Sequence, residues 1–155
     1  MANTYTQIYI QVVFAVEGRQ ILIHSEWKEE LHKYITGIVT ARVQKLLAIH
    51  CMLDHAHLLI GQKPNIALSD LVGDIKTGST NFINRKRWIA GRFNWQEGFG
   101  AFSYSHSHLT TVIRYIQNQV QHHARKTFRE EYLSILDKFE VPHEERYIFK
   151  PVDNE

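Results

Sequence analysis

The sequence predicts a single α+β domain in which an antiparallel four-stranded sheet carries helices on one face. In some segments apolar residues recur with a period of two, in others they recur at helical spacing, and the two kinds of segment interleave along the chain. The chain has 155 residues, 44% of them hydrophobic, with only eight Gly and three Pro, which suffices for one core. We expect one domain over 1–155, with a core over about 4–126 and a C-terminal helix and acidic tail over about 128–155.

The first half of the chain predicts a strand, a helix and a hairpin. Tyr5 to Val16 alternates apolar side chains with a period of two, as a strand does. A helix is expected from the N-cap Ser25 to about Arg42, with acidic residues in its first turns. Two apolar runs, Lys45 to Leu53 and Ala56 to Gly61, follow each other so closely that they predict a β-hairpin.

The second half predicts a helix, a strand and two further helices. An apolar stripe indicates a helix from Leu68 to about Lys86. Trp95 to Tyr104 contains a Gly-x-Gly turn signal before a short aromatic run, which predicts the fourth strand. Further helices are expected from about Leu109 to Lys126, with Val120 on the apolar face, and from Phe128 to Phe139. This order of strands and helices is that of a split β-α-β domain of the ferredoxin-like or RRM-like kind, a fold that hosts many functions.

Several classes of protein are excluded by what the sequence lacks. Its longest apolar runs, such as Ile8 to Val16, are far shorter than the roughly 20 residues of a membrane-spanning helix. The residues after Met1 do not form a secretion signal, so the expected location is cytoplasmic, with no membrane partner. The one cysteine, Cys51, excludes a disulfide framework and a zinc site built from several thiolates.

Positive charge is concentrated in the middle of the chain. Ile75 to Arg129 holds nine basic residues against one acidic residue, a net charge of +8 in a chain whose overall charge is +2. Such a block indicates a polyanionic partner, and the aromatic residues within it could stack unpaired bases. The alternative is a solvated face of ordinary helices. The candidates for contacts with such a partner, which would be DNA if the family resemblance given below holds, are Lys76, Arg85, Lys86, Arg87 and Arg92.

Two histidines on the predicted hairpin could bind a metal. Because strand side chains alternate, His55 and His57 point to the same side while Ala56 faces the other. Two imidazoles spaced in this way can ligate one divalent cation. The alternative is a pair of hydrogen-bonded histidines on a half-exposed sheet face, and a second His-x-His sequence occurs at His106 to His108.

The third predicted helix carries a candidate nucleophile and a candidate ligand. Tyr115 and Gln119 are four residues apart and so leave the helix on the same side. A cation could stabilise the phenolate of Tyr115 and the charge on a phosphodiester under attack. Alternatively, Tyr115 is a half-buried core residue and Gln119 a surface residue. Asn118 and His122 are the competing candidates for the ligand.

Three segments together resemble a known family, the small single-tyrosine HUH transposases (TnpA type) of minimal bacterial insertion sequences. They are Asp54 to Ile60, the basic helix that follows, and Arg114 to Gln119. The similarity covers nearly the whole chain, including Glu145 to Phe149 near its end. The resemblance implies that the histidine pair and Gln119 hold Mg²⁺ or Mn²⁺ and that Tyr115 is the nucleophile.

The resemblance also implies an activity and partners. A DNA transposase of this kind cleaves and rejoins single-stranded DNA at insertion-sequence ends through a 5′-phosphotyrosine intermediate. It is expected to recognise hairpin ends of its own element and to form a homodimer in which the tyrosine helix of one subunit serves the metal site of the other. The alternatives are a catalytically silent or domesticated DNA-hairpin-binding protein and a metal-dependent phosphodiesterase that uses water.

Overall fold

The computed structural model describes residues 3–17, 23–123 and 126–144. Within these ranges the chain forms four strands, five α-helices and one 3₁₀ turn. Their bounds are β1 Tyr9–Ala15, α1 Ser25–Ala41, β2 Lys45–Cys51, β3 His55–Gly61, α2 Leu68–Lys86, β4 Gly100–Tyr104, the 3₁₀ turn His106–His108, α3 Leu109–Gln117, α4 Gln119–His123 and α5 Phe128–Lys138. None of the described helices has the length and apolar content needed to cross a membrane.

The four strands of the described chain form one antiparallel sheet in the order β2-β3-β1-β4. The hairpin of β2 and β3 lies beside β1, which also pairs with β4. This is the strand order of a split β-α-β domain, so the predicted α+β class is confirmed. The register places Val13 of β1 opposite His57 of β3, near the middle of the sheet.

Helices cover both faces of this sheet. The face that includes Phe14 and Ala56 packs against α1 and α2 in the main core, as the sequence predicts. The opposite face packs against α3 through Leu59 and against α5 through Val13. Every residue of β3 before Gly61 is buried, which requires cover on both sides. The C-terminal helices therefore form two smaller apolar clusters on this face of the sheet, one with α3 and one with α5.

Two element boundaries in the first half differ from the prediction. The strand expected from Tyr5 begins at Tyr9, which pairs with the last residue of both neighbouring strands. Beyond Tyr9, the backbone N–H of Gln62 still donates to the backbone oxygen of Ile8 at 2.8 Å. Ser25 is not the N-cap of α1. It is the first helical residue, and His24 occupies the cap position in an extended conformation without a side-chain capping bond.

The third predicted helix is broken at Asn118. Its φ and ψ of −98° and 23° interrupt the helix, so that α3 ends at Gln117 and α4 begins at Gln119. The break changes which side chains face the sheet, and Val120, predicted on the apolar face, is 60% exposed. The last part of the predicted helix includes 124–125, which lie outside the described residues. The closing segment Glu145 to Phe149 and the rest of the tail after residue 144 also lie outside them.

The C-terminal helix α5 begins with a side-chain N-cap at Thr127. The side chain of Thr127 accepts a hydrogen bond from the backbone N–H of Glu130 at 3.2 Å and donates one to the Glu130 carboxylate at 3.1 Å. The helix ends at Lys138, before Pro142, as the sequence predicts. The Thr127 side chain thus satisfies one of the backbone N–H groups that the first turn of α5 would leave unpaired.

Candidate active site

The two histidines of β3 lie side by side under the C-terminal helices. His55 and His57 point to the same face of the sheet, while Ala56 packs in the core on the other side. Their ring centroids are 5.1 Å apart. Both side chains are buried, not half-exposed as one alternative expected, because α3, α4 and α5 cover this face.

Hydrogen bonds from Nδ1 fix the orientation of both imidazoles. Nδ1 of His55 donates to Asp54 at 2.7 Å, and Nδ1 of His57 donates to the amide oxygen of Gln11 at 2.8 Å. The amide nitrogen of Gln11 donates to the Tyr104 hydroxyl at 3.0 Å, which keeps its oxygen turned towards His57. Both histidines thus direct the lone pair of Nε2 into the same space, the arrangement found in metal-ligating histidines.

A buried carboxylate from α5 enters that space. Oε1 of Glu131 lies 2.9 Å from Nε2 of His57, 3.2 Å from Nε2 of His123 and 3.7 Å from Nε2 of His55. Burial acts to raise the pKa of Glu131, but the adjacent His57 ring and the hydrogen bond from Tyr115 outweigh that effect and hold the pKa at about 2. Burial lowers the pKa of His57 to about 4. These directions favour an ionised carboxylate beside a neutral imidazole.

The short helix α4 adds an amide and a third imidazole. Gln119 is fully buried, and its side-chain oxygen lies 3.0 Å from Nε2 of His123 and 3.4 Å from Nε2 of His55. Of the competing ligands, Asn118 is exposed at the end of α3. The half-buried His122 lies 3.3 Å from the outer oxygen of Glu131, on the side of the carboxylate away from the histidine pair.

This collection of atoms fits a divalent cation. Ligand atoms of His55, His57, His123 and Glu131 all lie within 4.8 Å of one another, and the Gln119 oxygen lies beside them. Imidazole nitrogens, a carboxylate and an amide oxygen are all donors that bind divalent metals. Because Nδ1 of His57 carries the ring proton, its Nε2 lone pair faces the negative Glu131 carboxylate. A cation between these two atoms would offset their mutual repulsion.

The candidate nucleophile borders the same cluster. The hydroxyl of Tyr115 donates a hydrogen bond to the second oxygen of Glu131, and its ring centroid lies 5.9 Å from that of His57. Burial, and then the adjacent Glu131 carboxylate, raise the pKa of Tyr115 well above its usual value near 10. A cleft of about 730 Å³ opens beside the ring, and its lining includes Arg114 and Lys126.

The predicted DNA-contact residues lie elsewhere. Arg85, Lys86 and Arg87 are exposed at the C-terminal end of α2, on the opposite face of the sheet from the histidines, and we call them the basic α2 terminus. Lys86 is 3.1 Å from Glu30, and Arg92 is exposed in the following loop. Lys76 is separate from these. Its ammonium group donates to the backbone oxygens of Gln96 and Gly98 and so holds the loop before β4.

Two residues of the cluster, Glu131 and His123, are not among the predicted site residues. His123 follows Gln119 by four residues, so its helical spacing from Gln119 was the signal in the sequence that points to it. Glu131 lies between Phe128 and Ile135 at helical spacing on the apolar stripe of α5, a position where an unpaired acid is costly. An acidic residue on an apolar stripe was therefore the available signal.

Comparisons with known proteins identify a family by sequence and a similar fold in two solved structures. The family model described as "Transposase IS200 like" matches residues 4–119. A crystal structure of a candidate transposase from Deinococcus radiodurans R1 is 21% identical and covers 77% of this chain and 95% of its own, with a TM-score of 0.61. A REP-associated tyrosine transposase bound to a REP hairpin is 15% identical and covers 79% of this chain and 73% of its own, with a TM-score of 0.58. No curated protein matches the chain.

Proposed function

The chain belongs to the IS200-like transposase family, and we propose that it is a single-tyrosine DNA strand transferase that cleaves and rejoins single-stranded DNA in a metal-dependent reaction. One observation carries this proposal: the Tyr115 hydroxyl and the His55 and His57 pair converge on one buried carboxylate. A candidate nucleophile and a set of metal ligands therefore share one site. The proposed place of action is the cytoplasm.

The proposed metal ligands are His55, His57 and Gln119, with Mg²⁺ or Mn²⁺ as the cation. When bound, the cation supplies positive charge that polarises a phosphodiester and offsets the charge of its transition state. Asp54 and Gln11 contribute by holding the two imidazoles in the tautomer that binds metal. The cover by α3 and α5 keeps bulk water away from the histidines.

In the proposed reaction the Tyr115 oxygen attacks the scissile phosphorus. The bond from Oη to phosphorus forms, the bond from phosphorus to the 3′ oxygen breaks, the phenolic proton is released, and the leaving oxygen takes up a proton to become a 3′-hydroxyl. The product is a 5′-phosphotyrosine that conserves the phosphodiester bond energy. A second 3′-hydroxyl then attacks this phosphorus, rejoins the DNA and returns the phenol without a nucleotide cofactor.

Two surfaces fit two parts of a DNA substrate. The cleft beside Tyr115 is open to solvent and has Arg114 and Lys126 in its lining, which suits the phosphates of a single strand. The basic α2 terminus and Arg92, on the opposite face, suit the backbone of a folded end. A structural neighbour is bound to a REP hairpin, which supports hairpin DNA as the partner of this chain.

The test is a covalent adduct with DNA labelled at its 3′ end. Single strands from the regions flanking the gene are incubated with wild type, Tyr115→Phe or Tyr34→Phe, in Mg²⁺, Mn²⁺ or EDTA, and separated on a denaturing gel. Tyr34 is the matched control because it stacks on Phe82 on the far side of the sheet. We expect a cation-dependent protein-bound label in wild type and Tyr34→Phe, and none in Tyr115→Phe.

The polarity of the label sharpens the result. A 5′-phosphotyrosine retains the 3′ part of the strand, so a 5′ label must leave as a free fragment ending in a 3′-hydroxyl. Cleavage that persists in Tyr115→Phe without an adduct would replace the proposal with a phosphodiesterase that uses water. Hairpin binding without any cleavage by wild type would indicate a DNA-binding protein.

A further inference from the structure

We propose that His123 and Glu131 are further ligands of the cation, and that the resulting imidazole-rich site selects a first-row transition ion such as Mn²⁺ or Zn²⁺ over Mg²⁺. This inference rests on the proposed metal-dependent function and deepens it, because it states which class of cation the site takes. Both residues lie beyond residue 119, where the match to the family model ends. Membership of the family therefore does not assign them a role.

Oε1 of Glu131 faces the lone pairs of two imidazole nitrogens. Nδ1 of His55 and Nδ1 of His57 each donate to another group, which leaves each Nε2 with its lone pair. These two Nε2 atoms lie 3.7 Å and 2.9 Å from Oε1. With 1% of Glu131 exposed, its carboxylate has little access to water, and a buried charge is costly unless an opposite charge balances it. A divalent cation among these atoms would balance the charge and use all three as ligands.

His123 directs its Nε2 to the same place from the short helix α4. This nitrogen lies 3.2 Å from Oε1 of Glu131 and 3.0 Å from the side-chain oxygen of Gln119. The His123 ring also lies beside the ring of His55, with centroids 4.7 Å apart. Nε2 of His123 is therefore next to every other kind of donor atom in the cluster, as expected of a third imidazole ligand.

The composition of this donor set determines which cations it favours. Ligand atoms of His55, His57, His123 and Glu131 lie within 4.8 Å of one another, and three of these four side chains are imidazoles. Mg²⁺ prefers oxygen donors and retains several water molecules, whereas imidazole suits first-row transition ions. Mn²⁺ is the weakest binder of that series, and Zn²⁺ binds such sites more tightly. The expected order of affinity is therefore Zn²⁺, then Mn²⁺, then Mg²⁺.

The number of nitrogen atoms on bound Mn²⁺ distinguishes two donor sets in wild type. Protein without a polyhistidine tag and without DNA is loaded with Mn²⁺, and pulsed EPR measures the coupling to ligand nitrogen nuclei. With His123 as a ligand, three imidazole nitrogens are coupled, whereas a site of His55, His57 and Gln119 alone gives two. A count of two would overturn the role of His123 and leave the proposed function standing.

Calorimetry of Mn²⁺ binding without DNA tests both residues. Removing a residue that only supports a ligand costs about 10- to 100-fold in metal affinity, so His123→Ala and Glu131→Gln are each expected to bind Mn²⁺ at least about tenfold more weakly. His122→Ala and Glu130→Gln are the neighbouring controls and are expected to bind Mn²⁺ as wild type does. His122 lies at the outer oxygen of the carboxylate, and Glu130 is exposed. Wild-type affinity in His123→Ala or Glu131→Gln, with circular dichroism showing a folded protein, would exclude that residue as a ligand.

The selectivity is tested by calorimetry of wild type with Mg²⁺, Mn²⁺ and Zn²⁺ in turn. Binding of Mg²⁺ as tightly as Mn²⁺ would overturn the inference. The proposed function has a separate readout, the cation-dependent DNA adduct on Tyr115. An adduct formed by a protein whose Mn²⁺ has two coupled nitrogens would refute this inference alone. Tight, selective Mn²⁺ binding without any adduct would refute the proposed function and leave the ligand set standing.

Discussion

Truncating Ile116 tests whether α3 is held on the sheet by the packing described above. Ile116 follows Tyr115 in sequence, is fully buried, and packs in one cluster with Ala48 and Leu59 of the hairpin. Ile116→Ala removes three carbon atoms, which at about 0.8 kcal/mol each amounts to about 2.4 kcal/mol of lost burial. The cavity left behind raises the expected cost to about 3 to 4 kcal/mol, whereas Ile116→Val is expected to cost about 1 kcal/mol.

Urea denaturation measures these costs as the free energy of unfolding. The expected outcome is a lower midpoint with an unchanged slope for Ile116→Ala, and a smaller shift for Ile116→Val. Val120→Ala is the control, because Val120 lies just beyond the helix break and is 60% exposed, so its truncation is expected to change the free energy by less than about 0.5 kcal/mol. A cost for Ile116→Ala no larger than that of the control would refute the placement of α3 against the hairpin.

Three further predictions concern other parts of the molecule. A Cβ added at Gly100 would lie 2.6 Å from the Tyr132 hydroxyl and displace α5. Gly100→Ala is therefore expected to lower the free energy of unfolding by about 1 to 3 kcal/mol and to weaken Mn²⁺ binding. A Cβ added at Gly73 in α2 would have no heavy atom within 4 Å, so Gly73→Ala is expected to raise the free energy of unfolding by up to about 1 kcal/mol. Equal effects of the two substitutions would be contrary to the structure. Burial lowers the pKa of His32, whose Nε2 accepts a hydrogen bond from the backbone N–H of Cys51 at 2.9 Å. Below about pH 6.5 the unfolded chain therefore binds more protons than the folded chain, and the free energy of unfolding falls as the pH drops below that value. His32→Gln keeps a hydrogen-bond acceptor that does not titrate. Urea denaturation is expected to show that the free energy of unfolding falls less between pH 7 and pH 5 in this variant than in wild type, and an identical fall would assign the effect to another group. Changing all three residues of the basic α2 terminus to Ala is expected to weaken hairpin DNA binding and to reduce the slope of log K against log salt by up to about 2 to 3, and an unchanged slope would show that DNA binds on another surface.

The sheet and the positions of the histidines follow from local patterns in the sequence. Alternation in β1 and β3 predicts the strands, and because side chains alternate it also predicts that His55 and His57 share one face. The i, i+4 spacing that relates Tyr115 to Gln119 places both near the cluster, although a helix break separates them. These features depend on neighbours in the sequence, which periodicity describes well.

The features that the sequence did not predict depend on contacts between distant segments. The break at Asn118 turns α4 so that Gln119 and His123 meet β3, and no Pro or Gly marks it. The charge of Glu131 predicts an exposed position, and its burial depends on partners distant in sequence, among them His57, 74 residues away. For the same reason the charge of Lys76 did not predict its partners within the chain, which are backbone oxygens about 20 residues further on.

The most direct test of the central claim is to identify the residue that carries the DNA. The adduct formed with cation and single-stranded DNA is digested with nuclease and trypsin, and the modified peptide is sequenced by mass spectrometry. Trypsin cuts after Arg114, so the account predicts a nucleotide-bearing peptide that begins at Tyr115, with the phosphate on that tyrosine and no such peptide in EDTA. A nucleotide on another residue, such as Tyr104 or Tyr132, or an adduct that forms without cation, would contradict it.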